Sequence, residues 1–348
     1  MAEFHKVHIQ EIKQETADAV SVVFSIPEDL KADFSFTAGQ YVTLQKEING
    51  EEVRRAYSIC SSPESGDIRV AIKAVEKGVF SMHATSDLKV GDEIEITAPE
   101  GRFLLNSEAN RHYIGFAAGS GITPILSMVK TVLAKESTST FTLVYGNKSE
   151  ADTIFFSELN TLKKSFSDRF KLHYIFSREN VKNELRGRID ENVTNYFVKN
   201  MYKETSFDSA FLCGPEEMIH EVSKTLESNK IAKENIHFEL FTASIDESAV
   251  SEVKEGATEV TILLDDEIAT FTMQQTDTIL AASLRNDLDA PYSCQGGVCS
   301  SCIAKITSGS ATMIQNNILT DSEVEEGLVL TCQAIPETKE ITVDFDDV

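Results

Sequence analysis

Four cysteines in the last quarter of this 348-residue chain constrain its fold more than any other feature. Cys294, Cys299 and Cys302 are separated by four and then two residues, and Cys332 follows after twenty-nine more. The first three share a short segment with two adjacent glycines, which turn tightly because they have no Cβ. This pattern predicts a compact loop that directs three thiolates towards one point, with a fourth supplied by a distant segment.

The spacing of these cysteines is typical of the ligands of a plant-type [2Fe–2S] cluster. A structural zinc site fits less well, because it usually pairs two close ligands with two distant ones. A disulfide framework is typical of small secreted chains, whereas this chain is long and its first residues lack the apolar core of a signal peptide. The sequence therefore predicts that Cys294, Cys299, Cys302 and Cys332 bind a cluster that carries one electron at a time.

Length and charge limit the classes of partner. A chain of 348 residues is expected to form two or three domains, and it has no apolar run long enough to span a membrane. The net charge of −24 argues against a nucleic-acid partner. Residues 257–348 carry sixteen Asp and Glu against three Lys and Arg, a net charge of −13. This acidic segment fits either a docking surface for a basic partner or a solubilising surface. Because the sequence shows no signal peptide and no membrane-spanning run, we expect a cytoplasmic protein.

Hydrophobic patterning divides the chain into three structured segments. Short strand-like runs with intervening Gly and Pro predict an antiparallel β-barrel, at residues 20–26, 41–44, 68–75 and 93–97. Strands and helices then alternate, at 113–118, 123–134, 141–145, 154–164 and 171–176, which predicts a parallel sheet with helices on both faces. A polar stretch around residues 242–256 indicates a flexible linker before the cysteine-rich segment, which starts with a strand at 260–264 and has a helix near 278–286.

A glycine-containing turn follows the first predicted strand of the α/β segment. Gly119 and Gly121 would let a phosphate approach the backbone, Thr123 can cap the next helix, and Pro124 suits its first turn. The helix N-terminus would offer free N–H groups to a pyrophosphate. An alternative interpretation is a strand-to-helix turn that binds no ligand, because Pro124 replaces the third glycine of the dinucleotide-binding fingerprint.

A second turn of the same design is Cys213-Gly214-Pro215, with two Glu residues in the first turn of the helix that follows. Catalytic groups in open α/β sheets lie at such carboxyl ends of strands, although a lone cysteine is more often a packed, inert thiol.

A third motif lies in the barrel segment, where Arg55, Tyr57 and Ser58 follow one another along an extended run. Arg suits a phosphate, Tyr a flat ring and Ser a ring nitrogen. Arg55 and Tyr57 would share a face, with Ser58 on the other, and an ordinary exposed strand would explain the motif if it stood alone.

Together these motifs resemble a ferredoxin–NADP reductase-type flavoprotein fused to a C-terminal plant-type ferredoxin, over nearly the whole chain. Reductase components of multicomponent oxygenases are similar, especially the reductase component of the phenylacetyl-CoA epoxygenase (ring-hydroxylating complex). The resemblance implies an antiparallel β-barrel FAD domain at 1–107, an α/β parallel-sheet NAD(P) domain at 108–241, a linker at 242–257, and an α+β β-grasp [2Fe–2S] ferredoxin domain at 258–348.

By this resemblance, Arg55 binds the flavin phosphate, Tyr57 packs on the isoalloxazine and Ser58 reaches its N5. Phe241 would lie beside the flavin. A second loop would hold the FAD pyrophosphate and consists of Lys77, Gly78, Val79, Phe80 and Ser81. This second phosphate loop favours FAD, although relatives of the phthalate dioxygenase reductase type share the domain order and use FMN.

The resemblance also implies a pyridine-nucleotide site. Its phosphates would be held by Gly119, Gly121, Thr123 and Pro124. Cys213, with Gly214 and Pro215, would face the nicotinamide without forming a covalent bond. Glu239 would stand near the nicotinamide, unless it is an ordinary surface residue. Ser177 and Arg178 would bind a 2′-phosphate, which favours NADPH over NADH, unless Arg178 is a solvated loop charge. The catalytic residues would be Ser58, Cys213 and Glu239.

The expected function is to pass electrons from NAD(P)H through FAD and the [2Fe–2S] cluster to a terminal oxygenase, with no membrane or nucleic-acid partner. A reductase for another acceptor is an alternative, such as hybrid-cluster protein, a desaturase or a steroid hydroxylase. A non-catalytic iron–sulfur binding module is a further alternative.

Overall fold

Six antiparallel strands form the first sheet of the computed structural model, which describes residues 3–241 and 256–348. They are β1 (Phe4–Thr16), β2 (Ala19–Ser25), β3 (Tyr41–Ile48), β4 (Glu51–Ser58), β5 (Ile68–Lys73) and β6 (Glu93–Thr97). Their order is β4-β3-β6-β1-β2-β5, and a bridge between Ile59 and Val70 joins the end of β4 to β5. This bridge closes the sheet into the expected barrel.

The barrel core explains which strands the sequence revealed. In β2, Val20, Val22 and Phe24 are apolar and buried, and Ala19 and Ser21 between and before them are buried too, so the strand is a largely buried run that the sequence revealed. In the thirteen-residue β1, by contrast, only Val7, Ile9 and Thr16 are buried, and this weak pattern was not predicted as a strand. A helix between β5 and β6, α1 (Val79–Ser86), was also not predicted.

The second sheet is parallel, as predicted. Its strands are β7 (His112–Ala118), β8 (Thr140–Asn147), β9 (Phe170–Phe176), β10 (Leu185–Arg186), β11 (Ser209–Cys213) and β12 (Ile236–Glu239), in the order β10-β9-β8-β7-β11-β12. The helices are α2 (Ile122–Lys135), α3 (Phe156–Ser165), α4 (Glu191–Asn195), a π-helix (Tyr196–Met201) and α5 (Glu216–Ser228). The chain runs from β7 towards one edge and later from β11 towards the other, so β7 and β11 flank a topological switch point.

Phe4–Phe241 form one of two compact units, and residues 256–348 belong to the other. Residues 242–255 of the predicted linker lie outside the described residues, and the predicted domain boundaries stay predictions. Every helix within the described ranges is too short or too polar to cross a lipid bilayer.

The unit with the four cysteines has a mixed sheet and the expected β-grasp arrangement. Its elements are β13 (Ala257–Leu264), β14 (Glu267–Gln274), α6 (Ile279–Arg285), β15 (Ile303–Ser308), β16 (Ala311–Met313), α7 (Asp321–Glu325), β17 (Leu328–Leu330), β18 (Ala334–Pro336) and β19 (Glu340–Asp344). The sheet order is β14-β13-β19-β15-β17, with β13 and β19 parallel, and β16 pairs with β18. Ile279, Leu280 and Ala282 of α6 belong to the core of this unit.

Candidate redox-cofactor sites

Strand pairing explains how the remote cysteine reaches the cysteine loop. Cys302 directly precedes β15 and Cys332 lies two residues after β17, and these two strands are antiparallel neighbours. Thr331 strengthens the junction, because its N–H and its hydroxyl both donate to the Cys302 carbonyl, at 3.0 and 2.9 Å. Three of the four thiols are buried, and Cys294 is half-buried.

The four thiols interact in two pairs. Cys294 and Cys299 share a hydrogen bond, which lowers the pKa of Cys294 and raises that of Cys299. Cys302 and Cys332 form the other pair, with the pKa of Cys332 lowered and that of Cys302 raised in the same way. Among the residues the structure describes, no three His, Cys, Asp or Glu side chains converge on one metal ion. The two pairs also act on each other, since Cys299 contributes to the raised pKa of Cys302 and Cys294 opposes the lowering of the pKa of Cys332, so all four thiols lie close together, as the predicted [2Fe–2S] cluster requires.

The loop around these thiols has donors suited to sulfur. The Gly296 N–H donates to Cys294 Sγ at 3.3 Å, and the Gln333 side chain donates to Cys332 Sγ at 3.7 Å. Gly297 has a φ of +68°, and a Cβ there would lie 3.0 Å from the Gln333 side chain. The Ser293 hydroxyl is buried without a hydrogen-bond partner. Such an orphaned donor beside a thiolate fits a hydrogen bond to a cluster sulfur.

The predicted flavin strand alternates as expected. Arg55 of β4 is exposed, and its guanidinium donates to the Arg54 carbonyl at 2.6 Å. Tyr57 is half-buried and Ser58 is buried, so Ser58 points away from the other two. Arg55 therefore has an exposed guanidinium that suits a phosphate.

The second flavin loop lies next to this strand. The rings of Tyr57 and Phe80 are 5.6 Å apart, and Phe80 belongs to the first turn of α1, after Gly78. The Ser81 hydroxyl accepts the Val75 N–H at 3.1 Å and donates to the Gly78 carbonyl at 3.4 Å. Ser81 thus closes the loop on itself, while the first N–H groups of α1 remain suited to an anion. The flanking Lys77 has a φ of +64°, and Val79 is exposed.

The two glycines of the first α/β turn have different roles. Gly119 has a φ of +55° and open space where a Cβ would lie, so a ligand has access to its backbone. At Gly121, a Cβ would lie 2.1 Å from the Cys213 carbonyl oxygen. Gly121 therefore lets the ends of β7 and β11 pack together, a constraint from within the chain that the sequence did not reveal.

The prediction that Thr123 caps α2 is wrong. The helix begins at Ile122, and the Thr123 hydroxyl donates to the Ser120 carbonyl at 3.0 Å from within the first turn. Pro124 does lie in that turn, as predicted. The helix predicted to start at Pro215 begins one residue later, at Glu216, and Pro215 occupies its N-cap position.

Three residues predicted to be catalytic meet at the switch point. The Ser58 hydroxyl donates to Glu239 Oε2 at 3.0 Å, and Glu239 pairs with Cys213 in the register of β12 and β11. Cys213 is fully buried and Glu239 is 8% exposed, so the interpretation of Glu239 as a surface residue is wrong. Tertiary folding thus joins the end of β4 to the ends of two parallel strands.

Burial sets the protonation states of this group. Desolvation raises the pKa of Glu239 to about 8, although the hydrogen bond from Ser58 acts in the opposite direction. Burial also raises the pKa of Cys213 well above its ordinary value, and the neighbouring Glu239 raises it further. Both shifts favour the uncharged forms, a thiol at Cys213 and a neutral carboxyl at Glu239 that accepts the hydrogen bond from Ser58.

The remaining predicted residues lie at the same carboxyl edge of the sheet. Ser177 and Arg178 follow β9, and their N–H groups donate to the carbonyls of Asn147 and Lys148, both at 2.9 Å. The Arg178 side chain is exposed. Phe241 follows β12 and is 37% exposed. Gly214 packs closely, since a Cβ there would lie 2.7 Å from Met218 Cε.

Sequence reasoning missed two residues on α2. The Ser127 hydroxyl donates to the Ser61 carbonyl and the Lys130 ammonium to the Cys60 carbonyl, at 2.6 and 3.1 Å. Both carbonyls lie just beyond Ser58. The only available signal was their helical spacing behind the Gly119 turn, which is also the spacing of ordinary core residues.

Comparison with known proteins agrees with this geometry. Residues 6–105 match the oxidoreductase FAD-binding domain, residues 116–224 the oxidoreductase NAD-binding domain, and residues 262–337 the 2Fe-2S iron-sulfur cluster binding domain. The match of residues 6–105 supports FAD rather than FMN as the bound flavin. The chain is an NAD(P)H-dependent oxidoreductase with FAD and a [2Fe–2S] cluster.

Relatives and solved structures match over nearly the whole length. The chain is 37% identical to the E subunit of the 1,2-phenylacetyl-CoA epoxidase of Escherichia coli (strain K12), covering 99% of each chain. It is 29% identical to the 3-ketosteroid-9-alpha-monooxygenase, ferredoxin reductase component, of Rhodococcus rhodochrous, covering 97% of this chain and 95% of that one. Phthalate dioxygenase reductase has the same fold, with a TM-score of 0.64, 24% identity and 98% coverage of both chains. The chain belongs to the family of FAD- and NAD-binding oxidoreductases with a C-terminal [2Fe–2S] domain.

Proposed function

We propose that this chain is the reductase component of a phenylacetyl-CoA epoxygenase-type system and passes electrons from NAD(P)H through FAD and its [2Fe–2S] cluster to the oxygenase. The identity of 37% over 99% of both chains carries the choice of acceptor. The convergence of Ser58, Cys213 and Glu239 supports the first step of this electron path.

Each part of the flavin site has a proposed role. FAD, when bound, accepts a hydride from a reduced nicotinamide, with two electrons moving and a C–H bond replaced by an N–H bond. Ser58 orients the reacting edge of the flavin, while Glu239 accepts the hydrogen bond of the Ser58 hydroxyl and so fixes the position of its oxygen. Arg55 binds the flavin phosphate, Tyr57 and Phe241 pack against its ring, and the N-terminus of α1 at Gly78 binds the pyrophosphate.

The nucleotide site is proposed to accept NADPH in preference to NADH. Gly119 admits the pyrophosphate to the N-terminus of α2, with Gly121, Thr123 and Pro124 shaping the turn. The neutral Cys213 thiol, followed by Gly214 and Pro215, packs against the nicotinamide. Arg178 is exposed at the end of β9, where a guanidinium is suited to a 2′-phosphate next to Ser177.

A second candidate acceptor is a steroid hydroxylase. Ferredoxin reductase components of 3-ketosteroid-9-alpha-monooxygenases are 29–30% identical over nearly the full chain. We further propose a cytoplasmic location and no nucleic-acid partner. None of the six cysteines, all of which lie among the described residues, is in a disulfide, as is usual in a reducing compartment, and the net charge is −24.

Reconstitution tests the choice of acceptor. The purified holoenzyme is combined with NADPH and either a phenylacetyl-CoA epoxygenase or a 3-ketosteroid hydroxylase oxygenase component, and hydroxylated or epoxidised product is measured. We expect coupled turnover with the first. Cytochrome c reduction serves as the control for an active reductase. Product formation with the steroid oxygenase alone would contradict the leading proposal and support the second candidate.

A further inference from the structure

Four polar side chains join the barrel, including the segment just after Ser58, to the two helices that follow β7 and β8. This bridging cluster consists of Arg69 on β5, Ser127 and Lys130 on α2, and Glu158 on α3. Arg69 and Lys130 both bind the Glu158 carboxylate, at 2.9 and 2.5 Å. Arg69 also binds Glu15 of β1 at 2.8 Å, so one guanidinium ties the barrel to α3.

The bridging cluster contacts the backbone of the segment that follows the flavin strand β4. Lys130 donates to the Cys60 carbonyl and Ser127 to the Ser61 carbonyl. The Cys60 N–H in turn donates to the Arg69 carbonyl at 2.8 Å. Cys60 is only two residues beyond Ser58, so the path of the chain on the carboxyl side of Ser58 is held by groups on α2.

The same helix leads to the nucleotide turn. Thr123, Ser127 and Lys130 are spaced by four and three residues, which places them on one face of α2. The N-terminus of that helix begins directly after the Gly119 turn. One rigid element thus connects the proposed phosphate site to the backbone beside Ser58.

The charges in the bridging cluster make its geometry stiff. The side chains of Arg69, Lys130 and Glu158 are only 17%, 18% and 24% exposed. Burial alone would raise the pKa of Glu158, but Lys130 and Arg69 outweigh it and lower that pKa. Two cations share one partly buried carboxylate, and displacement of any of the three leaves an incompletely solvated charge without its partner.

We propose that the bridging cluster positions the nucleotide-binding turn and the flavin strand for hydride transfer, so that Arg69, Ser127, Lys130 and Glu158 are positioning residues of the reductase. This inference rests on the proposed function. Hydride transfer depends steeply on distance and orientation, and a displacement of 1 Å can cost about 100-fold in rate. The bridging cluster therefore acts on the rate at saturating nucleotide more than on nucleotide affinity.

The test compares Lys130→Met, Lys130→Arg and Ser127→Ala in the FAD-loaded full-length protein. Anaerobic stopped-flow absorbance gives the rate constant of flavin reduction at saturating NADPH. Difference spectra with NADP⁺ give the dissociation constant, and thermal unfolding gives Tm. Lys6→Met is the matched control, because Lys6 forms an exposed ion pair with Glu93 at 3.2 Å on the same barrel.

We expect Lys130→Met to lower the rate constant by about 10- to 100-fold with less than about a threefold change in the dissociation constant. Lys130→Arg should restore most of the rate, and Lys6→Met should match the wild type. If Lys130→Met does not fold, Ser127→Ala decides, since it removes one hydrogen bond and no charge and should slow reduction at least about threefold.

If the folded variants reduce their bound flavin with the wild-type rate constant, even with a lower Tm, the positioning role is overturned. Failure of the wild-type holoenzyme to be reduced by either NADPH or NADH would instead count against the proposed function, so the two failures are distinguishable.

Discussion

Replacing Glu239 with Gln should remove a specific pH dependence of stability. Glu239 is buried, and desolvation raises its pKa to about 8 from an unfolded value near 4.5. The folded state therefore binds the proton more tightly than the unfolded state, and this stabilisation is complete below the unfolded pKa and lost as the pH rises through about 8. With a folded-state pKa of about 8, the contribution of Glu239 to the free energy of unfolding falls by roughly 2.7 kcal/mol between pH 6 and pH 9.

Chemical denaturation of the full-length holoenzyme at pH 6, 7, 8 and 9 measures this loss, with released flavin fluorescence reporting the unfolding of Phe4–Phe241. The quantity of interest is the free energy of unfolding of the wild type minus that of Glu239→Gln, because contributions from other titrating groups cancel. We expect this difference to fall by about 2–3 kcal/mol from pH 6 to pH 9.

Glu93→Gln is the control, because Glu93 is at an exposed position. The free energy of unfolding of the wild type minus that of Glu93→Gln should change little from pH 6 to pH 9. A wild-type minus Glu239→Gln difference that stayed level within about 0.5 kcal/mol from pH 6 to pH 9 would refute the raised pKa, and with it the neutral acid beside Ser58.

Three further predictions concern the other sites. Cys299→Ser should abolish cytochrome c reduction and acid-labile sulfide while leaving ferricyanide reduction by the flavin intact; survival of both activities and of the sulfide would contradict the cluster assignment. Arg178→Ala should raise the KM for NADPH about tenfold or more, through loss of a charge-assisted contact, and leave the KM for NADH within about twofold; equal effects in a steady-state assay would reject a 2′-phosphate role. Gly121→Ala should destabilise the protein by about 1–3 kcal/mol in thermal unfolding, because its Cβ would lie 2.1 Å from the Cys213 carbonyl; an unchanged Tm would show that the turn relaxes freely.

Local signals in the sequence were enough to locate the cluster site. The spacing of Cys294, Cys299 and Cys302 confines three thiols to one loop whatever the rest of the chain does. The two-pair arrangement, however, depends on the antiparallel pairing of β15 with β17, which brings Cys332 to Cys302. Spacing identifies the ligands, whereas pairing of distant strands determines which thiols are neighbours.

The role of a turn residue was harder to predict than its position. Gly119 and Gly121 occupy the predicted turn, yet only Gly119 has open space, while Gly121 faces the Cys213 carbonyl. The hydroxyl of Thr123 binds within the turn instead of capping the helix. A glycine in a sequence indicates that the backbone can turn or be approached closely at that position. The group that approaches it, here the Cys213 carbonyl, comes from another strand and is known only from the fold.

The sequence alone determined the class of each segment, because period-two and helical patterns, strand-to-helix turns and ligand spacing are local properties of the chain. It also indicated Ser58, Cys213 and Glu239 one by one. Only the tertiary structure placed them together, buried Glu239 and raised its pKa, since desolvation depends on the groups that surround a carboxyl after folding. The bridging cluster likewise exists only in the fold, because Arg69, Lys130 and Glu158 are far apart in sequence and carry no motif.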